Sequence, residues 1–265
     1  MGLNEAKGNQ IRVPIDLVFY DGNEKHLLSV YLAVACSANH AVHGKMVTKL
    51  SLRDIIYTIG LTPKRGKGGI NEQVAIAVNK LRDLGCFKDA PDYFEHDYIG
   101  TKAKYRYEVA KPKEAKTYVT ITTLEVFNAA QIVRNKDSED ESGNKLHVTF
   151  SYETLLHAIL LMKWKILRSK TGAIHVTRET LQELIDVSPY TITNITNALD
   201  KAKIIKKTLY TTREPISHGD EVEYKRHDVA FYTNYYGDVN GKINKEFERY
   251  EKYLKSKNKK KETKR

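Results

Sequence analysis

Cysteine is nearly absent from this chain: there are two in 265 residues, Cys36 and Cys86. Two are too few for a disulfide framework, and both sit in apolar stretches that read as helix. They are expected as reduced core residues of a cytoplasmic protein. Proline is scarce, at six. No run of about eighteen apolar residues occurs, so no membrane-spanning helix is indicated. The opening MGLNEAKGNQ is polar and carries Glu5 as well as Lys7, unlike a secretory signal. Its Met-Gly start lacks the Ser or Thr that a myristoylation motif places at position 6, where Ala6 stands. Metal-ligand spacing is missing too. His157, His175 and His218 stand apart, and no His-hydrophobic-His pair occurs. The acids Asp137, Glu139, Asp140 and Glu141 form a charge run in a loop. No Gly-Lys-Ser/Thr completes a P-loop. The residues point away from an enzyme, and no catalytic residue, metal or cofactor is expected.

What the chain has is positive charge. The net charge is +11 and the pI about 9.3, which favours an acidic partner, nucleic acid or an anionic surface. Residues 255–265 carry seven cations and one acid, so the other 254 residues share a net +5. The basic tail explains much of the pI, and the rest of the chain needs its own argument.

That argument begins with an internal repeat. LLSVYLAVACSAN (27–39), LSLRDIIYTIG (50–60) and NEQVAIAVNKLRDLGCF (71–87) form one series. ETLLHAILLMKWKILRSK (153–170), VTRETLQELIDV (176–187) and PYTITNITNALDKAKII (189–205) form the second. Leu27 and Leu28 lie 128 positions before Leu155 and Leu156, and Leu52, Ile55 and Ile56 lie 129 before Leu181, Leu184 and Ile185. Leu81, Cys86 and Phe87 lie 118 before Leu199, Ile204 and Ile205, so one insertion of eleven residues separates the copies, around LTPKRGKGG (61–69). Each block has helical spacing, as in Leu52, Ile55, Ile56 and Ile59. Ser51 with Asp54, Thr177, and Ser188 before Pro189 supply the start signals.

Strand-like composition follows the third helix of each copy. YFEHDYI (93–99) and AKYRYEVA (103–110) flank Gly100 in the first. IIKKTLYTT (204–212) and EVEYKRHDVAFYTNYY (221–236) flank REPISHGD in the second. Half-buried strand positions account for Tyr93, Tyr98, Tyr105, Tyr107, Tyr224, Tyr232, Tyr235 and Tyr236 more simply than base stacking does. TYVTITTLEVFNAA (117–130) reads as a strand and then a short helix. Ile243, Phe247, Tyr250 and Leu254 mark a C-terminal helix, and roughly the last eight residues are expected to be disordered. The fold class is α+β: two tandem winged helix-turn-helix domains, each of three helices and a β-hairpin wing. The expected division is 1–135 for the first domain, 136–147 for a polar linker, 148–238 for the second domain and 239–265 for the helix and basic tail.

In a helix-turn-helix the third helix enters the major groove and turns its outer face to the bases. In the second copy that face is read as Tyr190, Thr191, Thr193, Asn194, Asn197 and Lys201, behind the cap Ser188. A merely solvated face would be rich in Glu and Lys, because Thr and Asn are poor helix formers. Asn pairs with adenine, and Thr touches thymine. Lys206, Lys207, Arg213, Lys225 and Arg226, with His227 beside them, put positive charge on the second wing for phosphate. In the first copy Lys64, Arg65 and Lys67 stand among glycines just before a helix N-terminus, where phosphate is favoured. Asn71, Gln73, Asn79 and Lys80 are the candidates on the helix that follows.

SLRDIIYTIG, NEQVAIAVNKLRDLGCF and TRETLQELIDVSPYTITNITNALDKAKIIKKT together resemble the tandem winged-helix replication initiators of Gram-positive plasmids and phages. The last stretch is also similar to the initiator domains of the RepA_N and DnaD-type groups. The resemblance covers roughly residues 25–235. It implies sequence-specific binding of double-stranded DNA at origin repeats, and host replication proteins as partners, a helicase or its loader. A second copy of the chain is an admissible partner, and a membrane is not. The same fold serves transcriptional repressors and plasmid partition adaptors, and it also serves as a protein-interaction module, so those readings stand beside the first.

Overall fold

The computed structural model describes residues 9–41, 45–93, 102–110, 115, 117–134, 148–218 and 221–262, with the backbone alone at 39–41, 212–218, 221–228 and 257–262. The chain divides into two compact units, Met1–Leu160 and Leu161–Arg265, and each mixes helices with small antiparallel sheets. No helix among the described residues is long and apolar enough to cross a membrane.

Unit 1 opens with β1 (Gln10–Pro14) and a single turn, α1 (Ile15–Val18). In α2 (Leu27–Ser37) every residue from Leu27 to Ala35 is buried, as suits a helix that is apolar all round. No side chain of its own N-cap residue closes its first turn. The carboxylate of Glu153 does so instead, accepting from the backbone N–H groups of Leu28 and Ser29 at 2.7 and 2.8 Å. Then come β2 (Asn39–Ala41), β3 (Lys45–Leu50), α3 (Leu52–Thr58), α4 (Ile70–Asp83), β4 (Phe87–Lys88) and β5 (Tyr105–Val109), with the sheet ordered β2-β3-β5-β4. β6 (Tyr118–Thr122) pairs with β1, and α5 (Thr123–Arg134) follows.

The core of this unit is built by α2, α3 and α4. Leu32, Ile55, Ile56, Val78 and Leu81 are sealed from solvent, and each such aliphatic side chain contributes roughly 1.5–3 kcal/mol. Phe87 stacks on Tyr31 at 6.0 Å and meets the edge of Tyr107 at 5.8 Å. The hydroxyls of Tyr93 and Tyr107 share a buried hydrogen bond of 2.5 Å.

α6 (Tyr152–Arg168) begins in unit 1, and the division between units falls inside it. The stretch 136–147, expected as a linker, lies outside the described residues. The first turn of α6 is bonded into unit 1, through Glu153 and through the Tyr152 hydroxyl, which donates to the Val126 carbonyl at 3.4 Å.

Unit 2 continues with β7 (Ala173–His175), α7 (Arg178–Ile185), α8 (Pro189–Lys201), β8 (Ile205–His218), β9 (Glu221–Asn234) and α9 (Val239–Glu262). The sheet order is β7-β9-β8, and β8 and β9 pair without interruption from Ile205↔Asn234 to His218↔Glu221. Alternation along these strands divides the sheet's two faces. Tyr232 and Lys207 turn to α8, while Phe231 and Tyr210 turn to α9. There Phe247 stacks on Tyr210 at 4.2 Å and Tyr250 meets Phe231 at 5.9 Å, around the buried Ile243. α9 belongs to unit 2 and is not a separate appendage. Nor does it stop short of the basic tail: the helix runs on to Glu262, so residues 258–262 are helical where disorder is expected. Lysine is a good helix former, and cations suit a helix C-terminus.

Four further expectations change. Strands stand between the first and second helices of each copy, β2 and β3 in the first and β7 in the second, so the order is helix, one or two strands, two helices and two strands. β5 is paired by β3 and β4, whereas the strand expected at 93–99 falls outside the described residues except for Tyr93, which is not in a strand. Tyr235 and Tyr236 lie past the end of β9, and Cys86 lies past the end of α4.

Candidate nucleic-acid interface

α8 starts as its sequence directs: Ser188 accepts from the Thr191 backbone N–H, and Pro189 occupies the first turn. Its inner stripe of Ile192, Ile195 and Leu199 is buried. The solvent side carries Tyr190, 61 % exposed, with Asn197 and Lys201 exposed and Thr193 and Asn194 half-buried. Thr191, expected on this side, is buried. It follows the cap closely, and its hydroxyl is 2.9 Å from that of Ser188. Thr193 returns its hydroxyl to the Pro189 carbonyl at 3.1 Å.

The wing lysines serve the helix as well as the solvent. Lys207 Nζ donates to Asn197 Oδ1 at 2.7 Å and to Thr196 Oγ1 at 3.2 Å, which fixes the Asn197 amide. Burial, and after it the charge of Arg178, hold the Lys207 ammonium below its usual range. Lys206 pairs with Asp200 at 3.2 Å, and Asp200 also accepts from the Lys207 backbone N–H and the Tyr235 hydroxyl. Asp200, the one acid in the sequence of α8, is thereby held by its own unit. Arg213 and Arg226 face each other across the distal hairpin, and Lys225 lies opposite Glu214. The side chains of Arg213, Lys225 and Arg226 lie outside the described residues. Sequence reading missed Arg178. A cation in the first turn of α7, where the helix dipole disfavours one, was the available signal.

In unit 1 the loop 61–69 is ordered by its own backbone. Gly69 donates to the Gly66 carbonyl at 2.9 Å, Asn71 to the Lys64 carbonyl at 3.2 Å, and Gly68 to the Glu72 carboxylate. Gly66 and Gly68 have φ of 101° and 72°, and a Cβ at Gly69 would sit 2.5 Å from the Lys64 carbonyl. These bonds hold Lys64, Arg65 and Lys67 outward, all exposed. None of the three cations has a side-chain partner among the described residues.

The four candidates on α4 are placed differently from the expectation. Asn71 is 1 % exposed and Asn79 is 9 % exposed. Asn79 is occupied at both ends of its amide, by Asp92 at 3.3 Å and by the Tyr93 backbone N–H at 3.4 Å. Gln73 is occupied likewise, by His26 at 3.2 Å and the Gly68 carbonyl at 2.7 Å. Lys80 lies 3.8 Å from Glu24 and 5.3 Å above the Tyr20 ring. Glu72 and Asp83 share the solvent side of α4 with Ile76. This is a mixed-charge surface on which the Gln73 and Asn79 amides are already used. Cys36 and Cys86 are free, and burial pushes both thiols up to about 12. No family model, curated protein or solved structure matches the chain.

Proposed function

We propose that the chain binds double-stranded DNA site-specifically through two winged helix-turn-helix domains, and acts as a plasmid or phage replication initiator. The single observation that carries the DNA reading is the solvent side of α8. It offers Tyr190, Asn194, Asn197 and Lys201, with Asn197 held in place by Lys207 and Asp200 paired with Lys206. Such a face suits base edges, because preorganised amides pair with adenine while the flanking cations meet phosphate. The recurring order of helix, one or two strands, two helices and two antiparallel strands supports a winged helix in each copy. In this reading unit 2 reads the sequence, and the loop cations of unit 1 grip the backbone. The chain needs no cofactor and catalyses no reaction. The initiator role rests on the family resemblance, and the transcriptional and partition readings share the same chemistry.

Selection of bound DNA from a random pool, followed by footprinting on the replicon, tests it. Recovery of repeated origin sites is expected, and recovery of a promoter operator points to a repressor. Binding without sequence preference overturns the reading. One observation favours a second role for unit 1. The solvent side of α4 carries Glu72, Asp83 and Ile76, which suits a protein partner such as a helicase or its loader better than DNA.

A further inference from the structure

A cavity of about 230 Å³ opens in unit 1 between α3, the loop 61–69 and the start of α4. Its lining includes Arg53, Ile56, Tyr57, Pro63, Arg65 and Asn71. At Asn71 the side-chain oxygen Oδ1 is buried and has no hydrogen-bond partner among the described residues. A buried acceptor left unmatched costs about 1–3 kcal/mol, so it calls for an explanation. On the cavity wall the Arg53 guanidinium lies 5.2 Å over the Tyr57 ring and donates to its hydroxyl at 2.8 Å. Arg65 adds a second guanidinium, and Ile56 and Pro63 give an apolar floor. A ligand that fits has three properties. It is flat, to lie along an aromatic–guanidinium wall. It carries an N–H donor for Asn71. It bears an anion for the two arginines and the positive end of α4.

A nucleotide unit has all three. We propose that this cavity takes one nucleobase carrying an amino group, with its 5′-phosphate at Arg53 and Arg65. Base pockets elsewhere work by the same means, stacking against aromatic or guanidinium planes and hydrogen-bonding the exposed base edge. The base comes either from DNA in which it is unpaired or from a free nucleotide. The first source rests on the DNA-binding reading, and the second does not.

The full chain is titrated against three probes: a duplex with one unpaired 2-aminopurine, the fully paired duplex of the same sequence, and free 2-aminopurine deoxynucleoside monophosphate. On the bulged duplex, at least about tenfold tighter binding than on the paired one is expected, with quenching of the probe as it stacks. Quenching of the free nucleotide alone places the source in solution and also supports the pocket. Tyr57→Ala and Asn71→Leu are expected to abolish the quenching while paired-duplex affinity stays unchanged. Tyr57 is 47 % exposed, so its replacement keeps the test valid even where Asn71→Leu unfolds the unit. Equal affinity for both duplexes, with both probes unquenched, overturns the pocket and leaves the DNA-binding reading standing. Failure to bind any of the three overturns both.

Discussion

Asn197 and Ser51 are single side chains with different tasks, one in the proposed function and one in stability. The Asn197 amide is held by Lys207, so in the proposed reading it meets DNA already oriented. Asn197→Ala is expected to weaken binding to the preferred site by about 1–3 kcal/mol and to random DNA far less. Lys207→Met is expected to reproduce part of that loss by releasing the amide. Anisotropy titrations on both DNAs check this, and equal losses on the two would show that Asn197 reads no base. At Ser51 a capping box closes α3: the hydroxyl accepts from Asp54 N–H, and the Asp54 carboxylate accepts from Ser51 N–H. That backbone bond, before any other cause, holds the Asp54 carboxyl below its ordinary value of 3.8. A carboxylate lowered in the folded state stabilises it above the unfolded value, and that contribution is lost as pH falls through the folded one. Asp54→Asn is therefore expected to lower stability at pH 7 and to match the parent once the pH is well below 3.8. Ser51→Ala is expected to cost about 1 kcal/mol at pH 7. Urea unfolding at the two pH values reads both.

At the scale of elements, α9 shows two regimes along one helix. Ile243, Phe247 and Tyr250 pack on the sheet, whereas Lys255 and Ser256 are exposed. A chain ending at Leu254 is expected to keep its melting temperature and its ranking of sites while losing nonspecific affinity at low salt. A chain ending at Asp238 is expected to lose cooperative unfolding, since Phe231 and Tyr210 are then bared. Calorimetry separates the two. The same contrast explains what could be read beforehand. Ser51, Thr177 and Ser188–Pro189 marked their helix starts because a cap is a local matter of a few residues. β7 has three residues and β4 two, too few for alternation to register, and their partners β9 and β5 lie far along the chain. Asn71 and Asn79 were assigned to the solvent side of α4 by helical spacing. Spacing identifies an apolar stripe, but it does not reveal that residues 92 and 93 close over Asn79. Lysine density suggested a disordered tail, and helix propensity carried the backbone on to Glu262.

For the whole molecule, the proposed reading attaches both units of one chain to DNA, so effective concentration would couple the two affinities. Replacing Lys64, Arg65 and Lys67 together by Ala is expected to weaken every DNA sequence alike. The slope of log K against log salt should flatten by about 0.9 for each phosphate that is no longer neutralised, and an unchanged slope would show the loop to be a connector only. The cap on α2 has a consequence of another kind. Glu153 caps the Leu28 amide, 125 residues earlier, and at roughly 5–20 residues per second the ribosome delivers it about 6–25 s after Leu28. Through that interval α2, buried from Leu27 to Ala35 in the folded unit, lacks the carboxylate that caps it. Its exposure to chaperones and proteases is then expected to track translation speed between codons 28 and 153.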